Sequence, residues 1–214
     1  YATLPLPGIQ TVLMDDMLNE IEGNQVTGSL CVKFPWPAMA RTIWGDHKRY
    51  LDTYFSEFPG TYFTGDNALR DEVGYYRITG RADDVVIVSG HNIGTAPIEN
   101  AINQHPAVAE SAVVGFSHDI KGNALYGFIS LKVEGTSRDR DNLKKEINQL
   151  IADHYGPIGK LDKIQFVEDL PKTRSGKILR RLLRSIATNQ LDTFGDTSTM
   201  INPEVVQKII EEKV

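Results

Sequence analysis

A single cysteine, Cys31, stands among 214 residues, inside the apolar run Leu30-Cys31-Val32. No intrachain disulfide can form, which removes the disulfide-framed secreted class and points to a buried free thiol in a reducing, cytoplasmic compartment. Nothing cationic adjoins it in sequence, so it is not read as a reactive thiol. No apolar stretch approaches the roughly 18 residues that span a bilayer, so no membrane association is expected. The N-terminus lacks a charged region leading into an apolar core, so no signal peptide is expected, and no Asn-x-Ser/Thr triplet occurs. Basic charge is in deficit, with 23 Lys and Arg against 28 Asp and Glu for a net charge of -5. That balance argues against a general nucleic-acid binder, whose affinity comes largely from phosphate neutralisation. The five histidines, His47, His91, His105, His118 and His154, show no ligand spacing with cysteine or carboxylate pairs, so no metal site is expected.

What is present is an ordinary globular mixture, 41% hydrophobic and 24% charged, enough for one or two small cores. Residues 1 to about 82 read as mostly strand. Val26 to Phe34 is apolar with Gly28 interrupting it, and Pro35 and Pro37 end it. Asp46 to Phe58 has helix character, with Tyr50, Tyr54 and Phe58 recurring every four residues. Tyr62-Phe63-Thr64 and Tyr75 to Ile78 predict a hairpin joined by the polar segment Asn67 to Gly74.

Another pattern starts near Asp83. Val85 to Val88, Ser111 to Gly115, Leu125 to Val133 and Lys163 to Val167 predict strands. Pro97 to Ile102 predicts a helix with Pro97 at its first position. Arg140 to Tyr155 is the clearest helix: Leu143, Ile147, Leu150 and Ile151 share a face, and Gly156-Pro157 stops it. Ile178, Leu182 and Ile186 mark the apolar side of a further helix, and Asn202-Pro203 opens a last one, with Asn202 as its cap. The fold class predicted is α+β.

Leu170-Pro171-Lys172-Thr173-Arg174-Ser175-Gly176-Lys177-Ile178-Leu179-Arg180-Arg181 puts Lys177 on a Gly/Ser-containing turn before a helix. A cation on such a tip suits a phosphate or carboxylate held elsewhere; an exposed basic turn is the plain alternative. It is not a P-loop, because Pro171 and Ile178 stand where that loop needs Gly and Ser or Thr. Two further segments matter: Tyr62-Phe63-Thr64-Gly65-Asp66, and Ile78-Thr79-Gly80-Arg81-Ala82-Asp83-Asp84 running on through Ser89-Gly90-His91-Asn92 to Gly94. Locally, Asp66 suits accepting hydrogen bonds from hydroxyls or bonding its own turn backbone. Arg81 suits a phosphate or ribose contact, or a surface ion pair to Asp83 or Asp84. Ser117-His118-Asp119 has the residue types of a hydrolase triad, but adjacent residues do not fold back to relay a proton.

In this order, the three segments resemble the adenylate-forming acyl-CoA synthetases, most closely their acetate-activating branch. The likeness runs along nearly the whole chain, including Gly195 to Thr199. It implies the end of a large domain, a β-barrel-like subdomain, at 1–82. A mobile mixed α/β C-terminal lid at 83–190 and a tail with a helix at 191–214 follow. The start at Tyr1 rather than methionine agrees with a part of a longer protein. The activity implied is acetate + ATP + CoA to acetyl-CoA + AMP + PPi by way of acetyl-AMP, with Mg²⁺ arriving on ATP. The residue roles implied are Lys177 for catalysis, Asp66, Arg81 and Asn92 for ATP or AMP, Ser89 and Gly90 for CoA, and Asp83 for the hinge, with Asp84 its neighbouring alternative. Lys177 is also implied as a site of reversible acetylation, with a protein acetyltransferase and a sirtuin-type deacetylase as partners. Propionate or another acid is the alternative substrate. This chain departs from the family at Asn92, where many relatives have arginine, at Ile87, and at Ala152, where arginine contacts CoA in relatives.

Overall fold

Side-chain alternation along each strand sends successive residues to opposite faces, and it builds two separate sheets here. The computed structural model of the chain describes residues 2–190 and 200–214; the stretch Gly195 to Thr199 lies outside the described residues. The chain divides into two compact units, Tyr1–Asp83 and Asp84–Val214.

The first unit is an antiparallel sheet of β1 (Thr11–Met14), β2 (Val26–Val32), β3 (Tyr62–Arg70) and β4 (Tyr76–Arg81), in that order. Adjacent residues of β1 serve different cores. Val12 packs with Cys31, Phe58 and Phe63, while Leu13 packs with Ala68 and Tyr76 on the other face. Burial pushes the Cys31 thiol up to about 11, so it is a neutral core residue. Helix α1 (His47–Tyr54) is capped by Asp46, whose carboxylate accepts from the Arg49 N–H at 3.0 Å. It ends at Tyr54, four residues short of the predicted limit, and Phe58 reaches the core from the turn that follows. The first half of the predicted polar connector Asn67 to Gly74 is strand. Asn67 to Arg70 are flanked on one side by β2 and on the other by β4, so sheet pairing overrides their polarity. The turn itself is set by Asp71, whose Oδ1 accepts from the Val73 and Tyr75 N–H groups at 3.1 and 2.8 Å.

The second unit is a five-stranded mixed sheet of β5 (Val85–Val88), β6 (His91–Gly94), β7 (Val108–His118), β8 (Gly122–Leu131) and β9 (Lys163–Val167). The order is β6-β5-β8-β7, and β9 pairs with β8 in parallel. Helices α2 (Thr95–Ile102) and α3 (Arg140–Tyr155) cover one face through Ile98, Ile102, Ile147 and Ile151, packed on Val86, Val113, Leu125 and Ile129. Helices α4 (Arg180–Ala187) and α5 (Pro203–Glu211) cover the other through Leu182, Leu183, Ile186, Val206 and Ile209, packed on Ala112, Val114, Tyr126 and Phe128. The helix of the segment read as a tail is therefore part of this unit's core.

β7 and β8 outrun their predicted spans at the polar ends, where Ser117 and His118 pair with Asn123 and Gly122. β8 stops at Leu131, and Val133 stands exposed beyond it. Pro97 is the third residue of α2, not the first, because the helix starts at Thr95; it remains in the first turn, where its missing N–H costs nothing.

Candidate functional site

The β3–β4 ladder sets Asp66 opposite Arg81. The guanidinium forks between two carboxylates, with Nη1 donating to Asp66 Oδ1 at 3.4 Å and Nε to Asp83 Oδ1 at 3.2 Å. Gly65 makes room for this. Its φ is +77°, and a Cβ there would lie 2.7 Å from an Arg81 nitrogen. Thr64 Oγ1 accepts from the Asp66 N–H at 3.2 Å, holding the bend. Beside these groups lies a cleft of about 460 Å³ lined by Tyr54, Thr64, Gly65, Arg81, Asp83 and others. A half-buried carboxylate, next to a planar five-donor cation that lines an aromatic-walled cleft, can receive vicinal hydroxyls and an anion together. Gly65→Ala should displace Arg81 and destabilise the first unit by about 1–3 kcal/mol, from the strain of a left-handed alanine plus the steric conflict. Urea unfolding of the chain checks this, and an unchanged midpoint would contradict it.

Asp83 and Asp84 share a 3-10 turn, Ala82–Asp84, yet their side chains divide. Asp83 is exposed and pairs with Arg81. The Asp84 carboxylate is largely buried and accepts from Arg184 Nη2 of α4 at 2.8 Å. Each aspartate is thus tied into its own unit, and the break between the two units falls at the peptide joining them.

Ser89 and Gly90 form the two-residue turn of the β5–β6 hairpin, with φ of +49° and +84°. Both positive values match the twist that such a hairpin needs. His91 is the first residue of β6, and Asn92 follows it, exposed and opposite Ile87. Ala152 sits in the last turns of α3.

Lys177 closes a tight loop. The Thr173 N–H donates to the Lys177 carbonyl at 2.9 Å, Gly176 N–H to the Thr173 carbonyl at 2.8 Å, and Lys177 N–H to Thr173 Oγ1 at 3.1 Å. Arg174 to Lys177 are all exposed. Among the described residues no carboxylate comes within ion-pair distance of the Lys177 ammonium or of Arg174 in the same loop, whereas two of its other basic neighbours are committed. Lys172 pairs with Glu110 and Asp169, and Arg180 with Glu99. The Lys172 ammonium is held protonated beyond its ordinary range, chiefly by its bond to Glu110.

Asp66, Arg81 and Asp83 therefore share one constellation, Ser89, Gly90 and Asn92 a hairpin, and Lys177 a loop of its own. Sequence reasoning missed Glu99. It is buried in α2, accepting from the Val113 N–H at 2.8 Å and from Arg180 Nε at 3.0 Å. The available signal was a carboxylate between Ile98 and Ile102 on an apolar face. Among the described residues no three His, Cys, Asp or Glu side chains converge as a metal site would require, and no helix is long and apolar enough to cross a membrane.

Residues 97–177 match the family of the AMP-binding enzyme C-terminal domain. The chain is 53% identical to the acetyl-coenzyme A synthetase of Alkalilimnicola ehrlichii over 99% of its own length and 32% of that protein. It is likewise 53% identical to the acetyl-coenzyme A synthetase of Saccharophagus degradans, over 100% of this chain and 33% of the relative. It spans about a third of the length of these curated relatives. Among solved structures, it is similar to acetoacetyl-CoA synthetase from Streptomyces lividans, with a TM-score of 0.82 at 26% identity over 98% of this chain and 31% of that one. The anthranilate CoA ligase AuaEII in complex with anthranoyl-AMP gives a TM-score of 0.75 at 29% identity, over 88% and 35%.

Proposed function

We propose that the chain is part of an AMP-binding enzyme, whose C-terminal domain family its residues 97–177 match, and that the whole protein is an AMP-forming acetyl-CoA synthetase. A carboxylate oxygen of acetate attacks the α-phosphorus of ATP, and pyrophosphate leaves. The CoA thiol then attacks the acetyl carbonyl of acetyl-AMP, and AMP leaves with the bonding electron pair. Mg²⁺ is proposed to arrive on ATP, held mainly by phosphate oxygens.

The observation that carries this reading is Lys177: an exposed ammonium on a hydrogen-bonded loop, beside two basic residues already paired. Negative charge crowds at the α-phosphorus during the first step, and a placed cation in a water-poor site stabilises it. Asp66 is proposed to accept from the ribose hydroxyls, Arg81 and Asn92 to contact the nucleotide, and Ser89 and Gly90 to flank the pantetheine arm where a side chain would obstruct it. Asp83 is the proposed hinge, presenting Lys177 for the first step and the β5–β6 hairpin for the second. Acetylation of Lys177 would remove the charge, which gives a protein acetyltransferase and a sirtuin-type deacetylase as proposed regulators of a cytoplasmic enzyme.

The 214-residue chain by itself is proposed to be inactive, a lid and acetylation substrate. Acetate-dependent pyrophosphate release should be seen with the full-length protein and be at background with these residues alone. Release by the chain alone, or none by the full-length protein with acetate, would contradict the reading; turnover with propionate instead would move the substrate and keep the mechanism.

A further inference from the structure

We infer that Asn202 and Lys172 are positioning residues for the Lys177 loop, set in place by the segment that leads into α5; the inference rests on the role proposed for Lys177. Asn202 stands where a helix cap would, just before Pro203, yet its side chain makes no capping bond. It turns instead to the root of the lysine loop. Its Oδ1 accepts from the Lys172 N–H at 3.1 Å, and its Nδ2 donates to the Leu170 carbonyl at 2.9 Å and to Asp169 Oδ2 at 3.0 Å. Asn202 is 8% exposed, so these bonds are shielded from competing water.

The backbone adds to the clamp. Ile201 N–H donates to the Lys172 carbonyl at 3.1 Å, and Met200 pairs with Thr173. Thr173 is the residue that closes the loop onto Lys177. The Lys172 side chain completes the root, reaching Glu110 of β7 at 2.5 Å and Asp169 at 3.0 Å. Lys172 is thus spent on anchoring and Lys177 is left to act. A flexible residue such as lysine contributes to a transition state only if its loop is held in register, and a displacement of about 1 Å can cost about a hundredfold.

The test uses the full-length enzyme carrying Asn202→Ala, Lys172→Met or Lys177→Ala, each assayed for acetyl-AMP formation and for thioester formation from supplied acetyl-AMP. Asn202→Ala and Lys172→Met should lower the first rate about tenfold or more with little change in KM for ATP, and leave the second nearly intact. A purely structural role would depress both rates together, and that parallel loss would overturn the inference, as would an undiminished first rate. Should Asn202→Ala not fold, Lys172→Met decides, since Glu110 and Asp169 are solvent-accessible enough to hydrate once unpaired. If Lys177→Ala gives the split and the other two do not, only this inference fails. If Lys177→Ala shows no split, the reading of Lys177 fails and this inference with it.

Discussion

On the role proposed for Lys177, its replacement by alanine in the full-length protein should cut acetyl-AMP formation by about 10²–10³-fold, the typical cost of deleting one preorganised group that stabilises transition-state charge. The fold should hardly notice. The side chain is exposed, and the loop closes through backbone groups of Thr173, Gly176 and Lys177 and through Thr173 Oγ1, none of which the substitution removes. Unfolding free energy should stay within about 0.5 kcal/mol of the parent, as for surface changes generally. Lys177→Arg should rescue little, because a rigid planar fork is not a substitute for a compact ammonium on a flexible stem. Lys177→Gln, uncharged like acetyl-lysine, should resemble the alanine variant. Acetate-dependent ATP–pyrophosphate exchange reads the first step, and conversion of supplied acetyl-AMP to acetyl-CoA reads the second. Equal loss in both would show that Lys177 serves the fold or CoA, not the adenylation step.

The parts of the fold legible in the sequence are those whose signals are local. Helix α3 was placed at both ends because Asp139 caps it, three residues of one apolar stripe are fully buried, and Gly156 ends it with a φ of +99°. Strand β9 was bounded correctly because a short apolar run needs no partner to be recognised. Strand β6 was not foreseen: of His91 to Gly94 only Ile93 is buried, so no alternation marks it and its pairing with β5 alone creates it. Asn202 shows local logic being outbid. Asn-Pro before an apolar run reads as a cap, but Asp169, Leu170 and Lys172, some thirty residues away in sequence, offered its amide better-shielded bonds. The same holds at the candidate site. Gly65, Asp66 and Arg81 were named from motifs, but only the β3–β4 register makes them touch. Of the two partners open to Arg81, Asp83 is the one that pairs with it, while Asp84 turns to Arg184.

Glu99→Ala should be the most destabilising single change at a polar side chain of the second unit, by about 3–5 kcal/mol, the usual cost of removing one partner from a buried ion pair. The Glu99 side chain is 7% exposed and holds Arg180 through two hydrogen bonds, at 3.0 and 2.5 Å. It also accepts from the Val113 N–H, which points outward from β7, at the margin of the strand order. Truncation strands a guanidinium that is only 27% exposed and leaves an edge amide unpaired. Urea unfolding should report the loss, and thermal unfolding a fall in melting midpoint of about 10 °C or more. Glu99→Gln keeps an acceptor for Val113 and should cost less than alanine. Adding Arg180→Gln to Glu99→Gln should cost far less than it does alone, because the charge it removes has already lost its partner. Additive losses would mean that the two side chains stabilise the unit separately. The consequence reaches the proposed chemistry, since Arg180 lies three residues beyond Lys177. The pair to Glu99 fixes the exit of the lysine loop onto α2, as Asn202 fixes its entry, so variants that stay folded should adenylate more slowly in proportion to the coupling lost.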